Sequence, residues 1–136
     1  MPPMTPKFRA AERYFLELAS EDYTDIADLF VFLRLKLDRM TDAECMRQAE
    51  VLIRGWVDAG LLTVFYDDRA NATANHRPVR ELSPEEVDLA FAVEANWLPA
   101  GLRNSSIGVF CTLAGMQRAR WLESEDVRNG RAFGEW

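Results

Sequence analysis

Residues 41–66 read TDAECMRQAEVLIRGWVDAG followed by LLTVFY, and this stretch decides the fold. Thr41 with Glu44 three positions later forms a capping box, in which the hydroxyl satisfies one orphan N–H of the first turn and the carboxylate another. Met46, Ala49, Ile53, Val57 and Gly60 recur at helical spacing, and Gly60 supplies the left-handed backbone that ends a helix at least cost. Leu61 to Tyr66 is a short apolar run with Val, Phe and Tyr, the composition of a strand buried on both faces. A capped helix, a glycine stop and a strand form the unit on which the remainder packs.

On its N-terminal side, Thr5 with Pro6 at the first helical position starts a first helix. Phe8, Ala11, Phe15 and Leu18 share one face, and Lys7, Arg9, Glu12, Arg13 and Glu17 form a solvated one. Asp22 or Thr24 caps a second helix that runs to about Arg39. Ile26, Leu29, Phe30, Leu33, Leu37 and Met40 give it a core stripe, while Val31, Phe32 and Leu35 place apolar groups on a second side. Such a helix is either buried centrally or forms a homodimer contact.

On the C-terminal side, Asp67 to Arg80 is a polar segment rich in Asn and Ala, read as a mobile loop. Ser83-Pro84-Glu85-Glu86 is a second capping box with proline at the first helical position. Val87, Ala90, Phe91, Trp97 and Leu98 form the apolar side of that helix, which Pro99 and Gly101 end. Ile107 to Thr112 is a second strand, expected to pair with Leu61 to Tyr66. Thr112 then caps a final helix. Residues 124–136 read as a loose polar tail whose Phe133 and Trp136 either dock on the body or mark a contact site.

The 136 residues fit one domain able to bury about two thirds of its unfolded surface. With 49% apolar and 28% charged residues, the composition is that of a globular protein. A net charge of −6 disfavours nonspecific attachment to nucleic acid or to an anionic membrane. No signal-like N-terminus and no apolar run approaching ~20 residues is present, so a cytoplasmic protein without a membrane partner is expected. Cys45 and Cys111 lack metal or redox spacing and read as reduced, buried thiols. There is no Walker loop, dinucleotide glycine pattern, zinc-protease motif or paired-cysteine site. His76 is the single histidine, and Asp67 and Asp68 near it read as turn chemistry in preference to a metal site. The expectation is no catalytic residue, no metal and no cofactor.

Three helices followed by a two-stranded ribbon is the element order of a winged-helix domain. Val57-Asp58-Ala59-Gly60-Leu61-Leu62 resembles the end of the third helix in MarR-like and PadR-like proteins, where a glycine followed by aliphatic residues opens the first wing strand. Val109-Phe110-Cys111-Thr112-Leu113-Ala114-Gly115 is similar to the return strand, ending in a Thr-x-x-Gly turn into the next helix. The resemblance spans about residues 8 to 122. It implies a mainly α, winged-helix-like fold with a small β-ribbon: three N-terminal helices, a two-stranded wing, an inserted helix between the wing strands and a C-terminal helix. The wing insertion, residues 67–106, is far longer than an ordinary wing tip.

A winged-helix regulator would read DNA with its third helix. Here that helix carries Asp42, Glu44, Glu50 and Asp58 against Arg47 and Arg54. The resemblance therefore leaves two functional expectations. Arg47, Gln48 and Arg54 facing a groove, with Arg69, Arg77 and Arg80 of the following loop on the phosphate backbone, would make a DNA-binding regulator. Glu81, Glu85, Glu86, Asp88 and Glu94 concentrate five carboxylates without an intervening Lys or Arg, which is either a solvated helix face or an anionic surface for a basic protein partner. Net charge favours the second expectation, a non-enzymatic acidic binding domain of immunity, antitoxin, inhibitor or adaptor type. A homodimer would form through the apolar second helix or the C-terminal region.

Overall fold

A computed structural model describes residues 8–37, 39–76, 78–99 and 106–131, with the side chain of Arg69 excluded. The expected cap at Thr5 and Pro6, residue Arg77, and the closing Phe133 and Trp136 lie outside the described residues. In chain order the elements are α1 (Arg9–Glu21), β1 (Thr24–Asp25), α2 (Ala27–Lys36), α3 (Asp42–Asp58), β2 (Leu62–Asp67), β3 (Val79–Glu81), α4 (Pro84–Phe91), β4 (Ser106–Cys111) and α5 (Leu113–Arg128), with 3-10 turns at Arg69–Asn71 and Glu94–Trp97. The protein is mainly helical, with a small antiparallel sheet of strand order β1-β4-β2-β3. None of the described helices is long and apolar enough to cross a membrane.

The stretch that sets the fold behaves as its chemistry dictates. Thr41 Oγ1 accepts the Glu44 N–H at 3.1 Å, and Glu44 Oε1 accepts the Thr41 N–H at 3.3 Å, closing the capping box. Cys45, Ala49, Leu52, Ile53 and Trp56 bury one face of α3. Gly60 takes φ +77° and turns the chain into β2. Strand β2 pairs with β4 from Leu62 opposite Cys111 to Asp67 opposite Ser106, the pairing expected from sequence. Thr112 locks the corner: its hydroxyl donates to the Gly60 carbonyl and accepts the Gly115 N–H, while its own N–H reaches the Leu61 carbonyl at 3.0 Å. Glycine is required at 115 because a Cβ there would lie 2.1 Å from the Leu61 carbonyl oxygen.

The core lies between the sheet and α1, α2 and α3, with Phe15, Leu29, Leu33, Ile53, Trp56 and Val109 fully buried. Most of the apolar surface of α2 is spent here. Phe32 is buried and stacks on Tyr14 at 4.4 Å, which leaves Leu35 as the exposed apolar residue of its second side.

Beyond the expected two-stranded ribbon, which among the described residues is part of a four-stranded sheet whose β3 takes Val79 and Arg80 from the expected loop, four further sequence expectations differ from the structure. Glu12 and Arg13 belong to the face of α1 expected to be solvated, yet both are buried, because α5 packs on that face and supplies Arg118 and Asp126 as partners. The helix α5 also continues to Arg128, beyond the point where the tail was expected to begin, since Asp126 is buried among Arg9 and Arg13. Neither Asp22 nor Thr24 caps α2. Residues Thr24–Asp25 pair with β4 instead, and Asp25 Oδ1 accepts the Ala27 N–H at 2.9 Å. Finally, α4 ends at Phe91 rather than at Pro99, and the chain refolds as a 3-10 turn that brings Trp97 back to Phe91.

Candidate functional site

Helix α4 is built by its own first turn. Ser83 Oγ accepts the Glu86 N–H at 3.2 Å, Glu86 Oε1 accepts the Ser83 N–H at 3.0 Å, and Pro84 occupies the first turn, where no N–H is needed. Two aromatic residues anchor this inserted segment to the body. Phe91 and Trp97 are both buried in the main core and meet edge to face at 5.1 Å, and the Trp97 indole N–H donates to the Phe91 carbonyl at 2.9 Å. The insertion thus folds back onto the domain.

Arg54 clamps α4 to α3. Its Nε donates to Glu50 Oε2 at 2.9 Å, its Nη1 donates to Asp88 Oδ1 at 2.8 Å, and its guanidinium lies 5.1 Å from the Phe91 ring centroid. The hydrogen bonds it donates to Asp88 and Glu50 raise its pKa further above an already high value, so it is a permanent cation. Arg80 on β3 is similarly engaged: Nη1 reaches Glu86 Oε2 at 2.8 Å and Oε1 at 3.0 Å, and the guanidinium sits over the Tyr66 ring. The Glu86 carboxyl is held below the usual carboxylate range by the Ser83 backbone N–H and then by Arg80.

These contacts divide the five carboxylates of the expected acidic face. Glu86 and Asp88 are consumed in binding Arg80 and Arg54. Glu81, Glu85 and Glu94 are exposed and make no hydrogen bond or ion pair among the described residues. The six residues of the DNA-reading expectation are divided too. Arg47 is exposed and Gln48 half-buried on α3, Arg54 and Arg80 are engaged with carboxylates, and neither the Arg69 side chain nor Arg77 is among the described groups.

Between α3 and α4 lies a groove of about 470 Å³. Val57 and Asp58 of α3 form one wall, Val87, Asp88 and Phe91 of α4 the other, and Leu62 to Val64 of β2 the floor. Asp58 and Glu81 stand exposed at its rim. Nothing in the sequence spacing announces this groove, because it depends on the Arg54–Asp88 pair between residues 34 positions apart.

Both cysteines are held as thiols. Burial raises the pKa of Cys45 and of Cys111, whose thiol donates to the Leu16 carbonyl, so both stay protonated at neutral pH. Among the described residues no cluster of His, Cys, Asp and Glu is arranged to hold a metal ion. The segment after β2 holds a 3-10 turn and a Thr73–His76 bridge, with His76 exposed. No protein-family model matches the chain, and no curated protein or solved structure matches it significantly.

Proposed function

We propose that this chain is a cytoplasmic, non-enzymatic acidic binding domain on a winged-helix-like frame, and that its inserted segment meets a protein with a basic surface. The frame reading draws on the order α1, α2, α3, then the antiparallel β2–β4 pair, with β1 tying the helical layer to β4. The functional reading rests on one observation. Among the described residues the two arginines that contact α4 are paired within the fold, Arg54 with Glu50 and Asp88 and Arg80 with Glu86, whereas Glu81, Glu85 and Glu94 are exposed with no ion pair among the described residues. An anionic surface of this kind steers a basic partner and sets its orientation more than it adds raw affinity. Immunity, antitoxin, inhibitor and adaptor roles all use such a contact.

The second reading is DNA binding, and Arg47 favours it: it is exposed on α3 beside Gln48, with no ion pair among the described residues. A pull-down with the tagged chain at low and moderate salt separates the two. A stoichiometric basic protein, lost when Glu81, Glu85 and Glu94 are changed to Lys, supports the adaptor reading. Salt-sensitive duplex DNA, lost on Arg47→Glu, supports the regulator and overturns the adaptor.

A further inference from the structure

The floor of the groove between α3 and α4 holds something a partner of the proposed kind can use, an unfinished strand edge. β3 pairs with β2 only opposite Phe65, Tyr66 and Asp67, and Leu82 adds one more bond to the Val64 carbonyl at 3.0 Å. Pairing then stops, because α4 begins at Pro84, which has no N–H to give.

Two bonds fix which way the next backbone groups point. The Leu61 carbonyl is taken by Thr112 on the β4 side, and the Val64 carbonyl by Leu82 on the β3 side. Since antiparallel strands alternate direction residue by residue, Leu62 presents both its N–H and its carbonyl to the β3 side, as Val64 does. On that side Leu62 N–H, Leu62 C=O and Val64 N–H meet no backbone partner among the described residues. Leu62 and Val64 are each 3% exposed, and both line the groove. Shielded backbone groups without partners cost free energy, and a strand laid in the groove would satisfy them.

The lining also states the chemistry of that strand. Val57, Val87 and Phe91 accept an apolar side chain. Arg54 is already held by two carboxylates, so the unpaired charges at the rim are those of Asp58 and Glu81. We infer that the β2 edge from Leu62 to Val64 binds an extended segment of a basic protein, in which apolar residues alternate with Lys or Arg, by strand addition. A volume of 470 Å³ lies within the range of small-ligand sites. Main-chain pairing supplies the affinity, and the alternating side chains supply the selectivity.

The inference rests on the adaptor reading and is tested separately from it. The probe is the peptide acetyl-Lys-Val-Lys-Val-Lys-amide titrated into the full chain labelled with 15N. Saturable shifts at the Leu62 and Val64 amides are expected. Binding should weaken about tenfold in the exposed double variant Asp58→Lys, Glu81→Lys. N-methylation of alternate peptide nitrogens, which removes backbone donors while keeping the charge, should abolish it. Equal binding of the N-methylated peptide, or shifts confined to residues outside the groove, would overturn strand addition. If a basic protein is captured by the wild-type chain but not displaced by the peptide, the adaptor reading survives and the groove fails. If the peptide binds the groove while no basic protein is captured, the strand site stands and the adaptor reading fails.

Discussion

Two sets of carboxylates in this molecule have the same chemistry and opposite fates. Glu12 and Asp126 lie in the seam between α1 and α5, 0% and 5% exposed. Arg118 grips Glu12 with two bonds of 3.0 and 3.1 Å, and Asp126 takes Arg9 and Arg13 at 3.0 Å each. Glu81, Glu85 and Glu94 stand in water on the insertion, with no cation opposite them among the described residues. Along the chain the two sets look alike, since each carboxylate sits in a polar stretch with no marker beside it of what will pack there. Their difference is made by packing: α1 and α5 each bring arginines to the other's carboxylate, whereas Glu81, Glu85 and Glu94 face solvent. A carboxylate buried with its cations is committed to the fold, and an exposed, unpaired one is available to a partner.

The sharpest test of this division is Asp126→Ala. It takes the carboxylate from the half-buried Arg9 and one of two from the buried Arg13, which keeps Glu17 at 2.9 Å, so the loss should fall at the low end of the cost of breaking a buried pair, about 3 kcal/mol. Urea unfolding should show a much lower midpoint with an unchanged slope. A loss below about 1 kcal/mol would mean that the seam is as solvated as a surface pair, and the contrast would collapse. Acid sharpens it further. Burial alone would raise the Asp126 carboxyl, but hydrogen bonds from Arg13 and Arg9 hold it below its ordinary value. A carboxyl depressed in the folded state stabilises it fully above the unfolded pKa, about 3.9, and loses that contribution as pH falls through the folded value. The stability gap between the wild type and Asp126→Asn should therefore be widest above about pH 4 and should narrow below it.

Next in size is a change at the other end of α5. Gly115→Ala places a Cβ against the Leu61 carbonyl, a backbone atom that cannot step aside cheaply, and overpacking of this kind costs about 1–3 kcal/mol. Both ends of α5 thus matter, but only one was legible. The Thr112–Gly115 cap, the Gly60 stop and the capping boxes at Thr41 and Ser83 are local devices, so the sequence displays them, whereas the bond from Thr112 to Gly60 spans 52 positions and is not displayed. The pairing of β2 with β4 was legible too, because each is a short β-branched or aromatic run beside such a device. The seam was not, since Arg9 and Asp126 are 117 positions apart and each is unremarkable where it stands. β1 and β3 were missed because two or three polar residues carry no alternation to read, and they are strands only by virtue of β4 and β2. The five acidic residues stand as a run in the sequence. Their division was hidden, because Arg54 and Arg80 reach Asp88 and Glu86 from outside α4.

The smallest effect on stability carries the most about function. Changing Glu85 and Glu94 to Lys touches exposed side chains with no ion pair among the described residues, and such substitutions stay within about ±0.5 kcal/mol. Asp88→Ala is the matched comparison. It removes a surface pair to Arg54, costing about 0–1 kcal/mol, and it loosens the clamp between α3 and α4. If the exposed carboxylates contact a basic partner, the Lys double variant should slow association and make the remaining binding less dependent on salt, since rim charges act mainly on the encounter rate. Asp88→Ala should instead speed dissociation, because the wall of the groove is no longer held while Glu85 and Glu94 are intact. Association and dissociation rates measured for both variants against the captured partner would separate the two roles. Indistinguishable kinetics for wild type and the Lys double variant would mean that Glu85 and Glu94 are only a solvated helix face, and that availability alone does not make a carboxylate functional.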